Sequence, residues 1–464
     1  MSAKGLLEGN RLNIIETTAL SVAILAPTMA MSINVAFMAS IAGASGPLVF
    51  LISMVMLGFV AVSFIAFNEQ IPSAGSVYTF VKASMGSMMS AIAGWLLTLE
   101  YWTWSVGVSC AFGTLFSIFT KSVTGISISW MIPGVLCVGA IWYLSYTDVK
   151  LSTDVMFYVE AISMLLLLIM AIVVLVRVGT TTGLTWAPFT LGGNHFSALM
   201  AGMVFAVLSF GGFEGASSLG EESKNPKLLV PIAIGSAILI GGLFYVFVSY
   251  AQTVGFGLSP AGITALTNST SSVIDLSNKY IGPLFTNIIN LGICASAFSC
   301  ALGSMVAGSR TLYALGRDNY APGVLATVHG KHATPHVAIN IMLVVNLIVL
   351  FSMSWFEGMA VYGIVATAGA LAAVLAYLLT SLGSMFYFGK RKLWTWQLIL
   401  PMIAIILLGY LFYSNVYPVP APPLNLLPYI VVAWVILGVI VSFVCGGASG
   451  KAAAGSGTSF NGEG

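Results

Sequence analysis

Two carboxylates lie deep inside apolar stretches of this chain. Glu100 stands in Leu97-Thr98-Leu99-Glu100-Tyr101-Trp102-Thr103-Trp104, and Glu214 follows the glycine pair of Ser209-Phe210-Gly211-Gly212-Phe213-Glu214. A carboxylate inside a lipid-spanning segment is costly and is a functional candidate by default. Among the rings of Tyr101, Trp102 and Trp104, Glu100 suits a cationic solute through ion pairing and cation–π contact. The same group would also serve as a proton carrier, or as a plain hydrogen bond to a neighbouring helix. Glu214 is expected to cap loose backbone N–H groups and couple to gating, with substrate contact and proton carriage as further roles. Asp154 and Glu160 are six residues apart, roughly 240° by helix period, so they share a face only loosely. Both are read as lying toward the inner end of their segment, and for Asp154 a polar contact there is the favoured reading.

The elements that carry these groups are set by composition. The chain has 464 residues, 58% hydrophobic and 6% charged, against about a quarter charged in soluble domains. A lipid environment is the remaining explanation, and the net charge of +2 leaves no electrostatic footprint for nucleic acid. A spanning helix needs about 20 apolar residues. The apolar runs number twelve: 14–36, 47–67, 89–117, 129–147, 153–177, 197–219, 231–255, 282–308, 337–355, 360–387, 396–414 and 428–446.

With the N-terminus inside, thirteen basic residues fall on the inner side: Lys4, Arg11, Lys82, Lys150, Lys224, Lys227, Arg310, Arg317, Lys331, Lys390, Arg391, Lys392 and Lys451. Only Lys121, Arg177 and Lys279 fall outside. This asymmetry obeys the positive-inside rule and predicts a multi-pass protein of the cytoplasmic membrane with both termini cytoplasmic. The polar start with Lys4, Glu8 and Arg11, followed by a long apolar run, does not read as a cleavable signal peptide. The outer segment 256–281 is expected to form a loop with a short helix over the pore mouth. Its Asn268-Ser269-Thr270 fits a glycosylation triplet that matters only in a secretory setting. The inner segment 309–336 is the other long connection, and the tail 447–464 is low in complexity and expected to be disordered.

Several motifs carry nothing. Cys110, Cys137, Cys294, Cys300 and Cys445 lie in apolar stretches with no paired spacing and read as packing residues. His329, His332 and His336 have ligand-like spacing, but Gly330 and Pro335 keep them off one helix, so no metal is expected. Around Gly450-Lys451 a phosphate loop would need glycine at Cys445 and Ser or Thr at Ala452. No nucleophile–base grouping is present, so neither enzyme activity nor a cofactor is expected.

Two segments should be interrupted. Glycine costs about 1 kcal/mol in a helix interior, so three glycines in five residues beside Glu214 predict unwinding over Ser209 to Gly215. The alternative is a small-residue packing seam. In the first segment Ala26-Pro27-Thr28 predicts a break, or a simple proline kink, because proline removes a donor and frees carbonyls around Val22 to Ala26. Interruptions at corresponding positions of two halves point to a transporter binding site.

Three stretches carry a family resemblance. Ile71-Pro72-Ser73-Ala74-Gly75-Ser76-Val77-Tyr78, the glycine break with Glu221-Glu222-Ser223-Lys224-Asn225-Pro226 and Pro231, and Ser309-Arg310-Thr311-Leu312-Tyr313-Ala314-Leu315-Gly316-Arg317-Asp318 resemble the amino acid, polyamine and organocation (APC) transporter superfamily over about residues 14–446. The resemblance implies an all-α membrane fold of 12 transmembrane helices with helices 1 and 6 broken. A first inverted repeat would span 14–177, a second 197–387, and two more helices 396–446, after a cytoplasmic segment 1–13. It implies a secondary active transporter for an amino acid, amine or small organic cation, coupled to H+ or Na+ or working by exchange. Its partners would be a small-molecule substrate and the bilayer. The substrate would lie among Ala26, Pro27, Thr28, Met29, Glu100, Tyr101, Trp104, Ser209, Phe210, Gly211, Gly212, Phe213 and Glu214, where Tyr101 matches a pocket tyrosine of relatives. Glu100, Glu214, Ser296 and Ser299 would serve coupling or gating.

The sequence also departs from the family. Relatives that carry amino acids have Gly-Ser-Gly at the first break, with bare N–H groups for the substrate carboxylate; here the residues are Ala26-Pro27-Thr28. That leaves amines and other solutes in contention, so a carrier of a non-amino-acid metabolite stays open, as does a sensor or channel-like protein that kept the fold. Ser163 stands where some proton-coupled relatives place a lysine, so that proton mechanism is not supported. Ser296 and Ser299 are candidates to hold sodium with the carbonyls freed in segment one. Glu221 and Glu222 facing Lys224, with Arg310, Arg317 and Asp318, read either as an inner latch or as solvated charges.

Overall fold

The computed structural model describes residues 13–73, 75–147, 149–219, 222–390 and 396–446. The segments 1–12 and 447–464, Glu221, Arg391 and Lys392, and the side chains of Lys150 and Asp154, lie outside this description. Among the described residues all regular structure is helical: α1 (Ile14–Leu25), α2 (Pro27–Ala42), α3 (Gly46–Gln70), α4 (Val77–Met85), α5 (Ser87–Thr124), α6 (Met131–Thr147), α7 (Val149–Thr181) and α8 (Phe196–Phe210) come first. Then follow α9 (Pro226–Phe256), α10 (Pro260–Thr267), α11 (Ser272–Tyr280), α12 (Pro283–Arg317), α13 (His336–Ser352), α14 (Gly358–Lys390), α15 (Trp396–Ser414) and α16 (Leu427–Val444).

Each of the twelve apolar runs is helical. Among the described residues eight helical stretches are long and apolar enough to cross a membrane, the first of them, Ile14–Gln70, being α1 to α3 taken together. Three shorter apolar helices, Met131–Thr147, His336–Ser352 and Leu398–Ser414, accompany them. The outer connection holds two short helices, α10 and α11. α11 is tied to α2 where the Ser32 and Ser271 hydroxyls meet and where the Ser272 hydroxyl donates to the Ser32 carbonyl over 3.2 Å.

The inner connection is shorter than the charges suggest, because α12 continues as helix to Arg317. Arg310 does not end the helix: it is buried and its guanidinium pairs with Glu222 at 2.5 and 3.2 Å. The charged cluster is therefore a buried ion pair plus a surface group, with Lys224 exposed and Arg317 turned to Asp318 at 3.3 Å. Asp318 also accepts from Tyr78 at the start of α4, over 3.1 Å. Burial raises the Tyr78 hydroxyl well above the usual tyrosine range, so it stays a donor.

Local chemistry explains the helix ends that matter. α1 starts with a capping box, in which Asn13 accepts from the N–H groups of Ile15 and Glu16 while the Glu16 carboxylate accepts from the Asn13 N–H at 2.6 Å. It stops at Ala26, whose φ of 43° is left-handed, a conformation strained for a residue with a Cβ. Pro27 then opens α2 at the first helical position, where its missing N–H costs least. The central helix α5 packs on α12 and α14, while α1 lies among α7, α9 and α12 and α2 against α8.

Candidate functional site

Both interruptions expected from the sequence are present. α8 ends at Phe210; Gly211 and Gly212 turn the chain and a 3-10 helix, Phe213–Leu219, follows. Ser209 and Phe210 remain helical, so unwinding begins two residues later than expected. Two close approaches make glycine necessary. A Cβ on Gly211 would stand 1.8 Å from Cη2 of Trp104, and one on Gly212, at φ +87°, 2.0 Å from Cγ2 of Ile24. The glycines thus let the α8 break press against α5 on one side and α1 on the other.

The backbone groups released by the breaks are taken up by side chains, as a lipid-embedded site requires. At the end of α1 the Ile24 carbonyl accepts from the Cys300 thiol at 3.0 Å and the Leu25 carbonyl from the Tyr245 hydroxyl at 3.2 Å. That hydroxyl also reaches the Ser209 carbonyl at 2.6 Å, so one side chain of α9 serves both breaks. Ser21 of α1 donates to the Phe213 carbonyl at 2.7 Å and accepts from the Ala216 N–H at 3.0 Å. Outside the breaks, Tyr362 donates to Asn34 at 2.9 Å and Asn34 donates to Ser209 at 2.9 Å.

A small cavity of about 10 Å³ lies at this junction, lined among others by Ala26, Met29, Asn34, Trp104 and Tyr362. That is room for on the order of one water. A larger cavity of about 410 Å³, walled by Trp95, Trp102 and Trp434, shares none of its residues and lies away from both breaks.

The structure brings Glu100 and Glu214 together. Both are fully buried, and Tyr377 of α14 bridges them, its hydroxyl 2.8 Å from Glu214 Oε2 and 3.2 Å from Glu100 Oε1. Tyr101 donates to the other Glu214 oxygen at 2.7 Å. The two carboxyl groups also lie within hydrogen-bonding reach of each other. Of the rings expected around Glu100, Tyr101 joins this cluster and Trp104 lines the cavity, donating to the Ala366 carbonyl at 3.3 Å. Trp102 instead turns to Trp434, 5.3 Å between centroids.

Ser296 donates to Glu160 Oε1 at 3.0 Å, and the Ser299 hydroxyl lies 3.5 Å from the Met156 carbonyl. Ser163 donates to the Gly292 carbonyl at 2.9 Å. Glu160, read as an inner-end group, sits instead at the break in the first segment, its Oε1 3.3 Å from the Thr28 nitrogen. Periodicity on α7 alone could not show this, because the contact joins residues 132 apart in sequence. Asn34, Tyr245, Tyr362 and Tyr377 were also not singled out by sequence; buried tyrosines in apolar runs look like packing until their partners are seen. His329, His332 and His336 cluster around the Tyr146 ring, and among the described residues no group of three could hold a metal ion.

Comparison with known proteins fits this geometry. Residues 18–447 match the family model described as amino acid permease. The branched-chain amino acid permease BcaP of Bacillus subtilis is 31% identical over 62% of this chain and 63% of its own length. The methylthioribose transporter of the same organism is 26% identical over 68% and 66%. The low-affinity putrescine importer PlaP of Escherichia coli K12 is 24% identical over 79% and 80%. The chain thus spans slightly less than two thirds of the first two relatives. All three are named as permeases or transporters, not enzymes.

Proposed function

This chain belongs to the amino acid permease family of the APC superfamily, and from that premise we propose that it is a secondary active transporter. It moves an amino acid, amine or small organic cation across the cytoplasmic membrane by alternating access. Twelve spanning helices form two inverted five-helix repeats with two helices after them, α1–α2 and α8 with its 3-10 extension being the broken first member of each repeat. Both termini are cytoplasmic. The substrate lies between the breaks, against Trp104, Met29 and the Gly211–Gly212 turn, with Glu100 and Glu214 inward of it. A proton or sodium gradient, or exchange, drives the cycle through the Glu100–Tyr377–Glu214 cluster.

The observation that carries this reading is the pairing of the two breaks. Each lies in the first apolar segment of its half, and Tyr245 is bonded to a carbonyl in the last turn of each of the two helices. Broken helices whose loose groups are satisfied by neighbours are the arrangement in which a transporter builds its midplane site. A second reading, a carrier of a metabolite other than an amino acid, is favoured by Ala26-Pro27-Thr28 at the first break.

Purified protein in proteoliposomes tests the proposal. Labelled amino acids, amines and neutral solutes are offered with an imposed proton or sodium gradient. Accumulation of one class against its own gradient supports secondary transport. Binding without accumulation supports a sensor, and flux that only ever runs downhill without saturation supports a channel-like protein.

A further inference from the structure

The start of α2 is a half-helix N-terminus inside the apolar interior, and its donors can be counted in full. Pro27 has no N–H. The Thr28 N–H points to Glu160 Oε1 at 3.3 Å. The Met29 N–H donates to Ser296 Oγ at 3.1 Å, and the Ser296 hydroxyl passes the bond on to the same Glu160 oxygen at 3.0 Å. The Ala30 N–H already bonds the Ala26 carbonyl at 2.8 Å. The loose donors that an N-terminus normally offers are therefore consumed by one carboxyl group of the chain and the serine beside it.

Such an N-terminus is an anion site, and in transporters it is where the anionic end of a solute is held. Here it is filled from α7. Glu160 is 1% exposed and is held at the break by the Thr28 N–H and hydroxyl, from the first turn of α2, and by the Ser296 hydroxyl of α12. The rest of the interior has the same bias. The buried charged side chains among the described residues are Glu16, Glu100, Glu160, Glu214, Glu222 and Arg310, and Arg310 is committed to Glu222. Among the described residues no buried basic group is left to receive a solute carboxylate, whereas Glu100 and Glu214 set two carboxyl groups side by side, a pair whose chemistry suits an ammonium group.

We propose that Glu160 occupies the place of a substrate carboxylate, and that the transported solute is an amine without one, the decarboxylated counterpart of an amino acid. This deepens, and rests on, the transporter reading above. Glu160 is then a specificity-determining residue: it excludes amino acids by filling their carboxylate site and leaves the amine end to the Glu100–Glu214 side.

The test uses matched pairs on the full chain: ornithine and putrescine, lysine and cadaverine, leucine and 3-methylbutylamine. Thermal-shift titration of the purified wild type should give a half-maximal concentration at least about tenfold lower for the amine of at least one pair, the scale of one lost charged hydrogen bond. An amino acid that binds as tightly as its amine, or the absence of any response to all three amines, overturns the proposal. Amine binding without uptake or counterflow in proteoliposomes contradicts the transporter reading while leaving the selectivity in place. Glu160→Ala gives a second readout that needs no substrate. Millimolar acetate, but not acetamide or sodium chloride, should restore most of the melting temperature it loses; restoration by sodium chloride alone would make Glu160 a cation ligand and overturn the anion-site assignment. The wild-type pairs keep the proposal falsifiable even where the variant does not fold.

Discussion

The Tyr245 hydroxyl lies 2.6 Å from the carbonyl oxygen of Ser209, two residues before the glycine pair that follows α8. The same hydroxyl stands 3.2 Å from the Leu25 carbonyl at the end of α1. One proton is shared between two helix ends, so Tyr245, together with Ser21 bonded to Phe213 and Ala216, ties the two breaks to each other.

Tyr245→Phe removes that proton and leaves two buried carbonyls short of a donor, each worth about 1–3 kcal/mol. The expected outcome is a melting temperature several degrees lower, together with uptake reduced by about tenfold or more. A variant with unchanged stability and unchanged uptake would show that the two breaks do not depend on this bridge.

The Glu100–Tyr377–Glu214 cluster predicts coupled behaviour. A hydroxyl has one proton to give, so the two carboxyl groups compete for the Tyr377 donor. Glu100→Gln and Glu214→Gln should each lower uptake and alter its dependence on pH. The double variant should be little worse than the more damaged single one, as for residues acting as a unit. Uptake rates across pH in proteoliposomes measure this. If Glu100→Gln leaves both the rate and the pH profile intact, Glu100 is a structural hydrogen-bonding group.

Steric fit at the second break gives a prediction that separates packing from chemistry. Gly211→Ala places a methyl group 1.8 Å from the Trp104 ring, which the ring can avoid only by moving. The single variant should lose stability and uptake, and Trp104→Leu in the same chain should restore a good part of the stability. Additive losses in the double variant would mean that the contact is not what the methyl group violates.

Arg310 and Glu222 form a pair 1% and 3% exposed at the side chain. Glu222→Gln alone strands a buried guanidinium and should cost about 3–5 kcal/mol, whereas replacing both residues by apolar ones of similar volume should cost far less. Thermal denaturation of the two variants, read by tryptophan fluorescence, distinguishes these outcomes.

Much of the architecture is legible from the residues because lipid imposes a simple rule: long apolar runs must close their own hydrogen bonds as helices. The two interruptions announce themselves through local chemistry, Pro27 by its missing donor and Gly211–Gly212 by their freedom and small size. Boundaries failed where a charge is paired: Arg310 looked like the start of a connection and is instead inside a helix, because its partner Glu222 is 88 positions away. Glu160 was underrated for the same reason, since its role depends on Thr28 and Ser296, both from other helices. Sequence spacing reports which residues share a helix face. It does not report which helix that face meets, and the polar contacts of this site are nearly all between helices.

The central claim is that a solute crosses through a site built on the two breaks. Gradient-driven accumulation in proteoliposomes tests it most directly, with the wild type set beside Gly212→Val, whose side chain cannot fit against Ile24 at a left-handed φ of +87°. The account predicts that the wild type concentrates an amine inside the vesicles under a proton or sodium gradient and that Gly212→Val, when folded and reconstituted at equal density, does not. Accumulation by the variant at the wild-type rate, or no gradient-driven accumulation of any solute by the wild type, would contradict it.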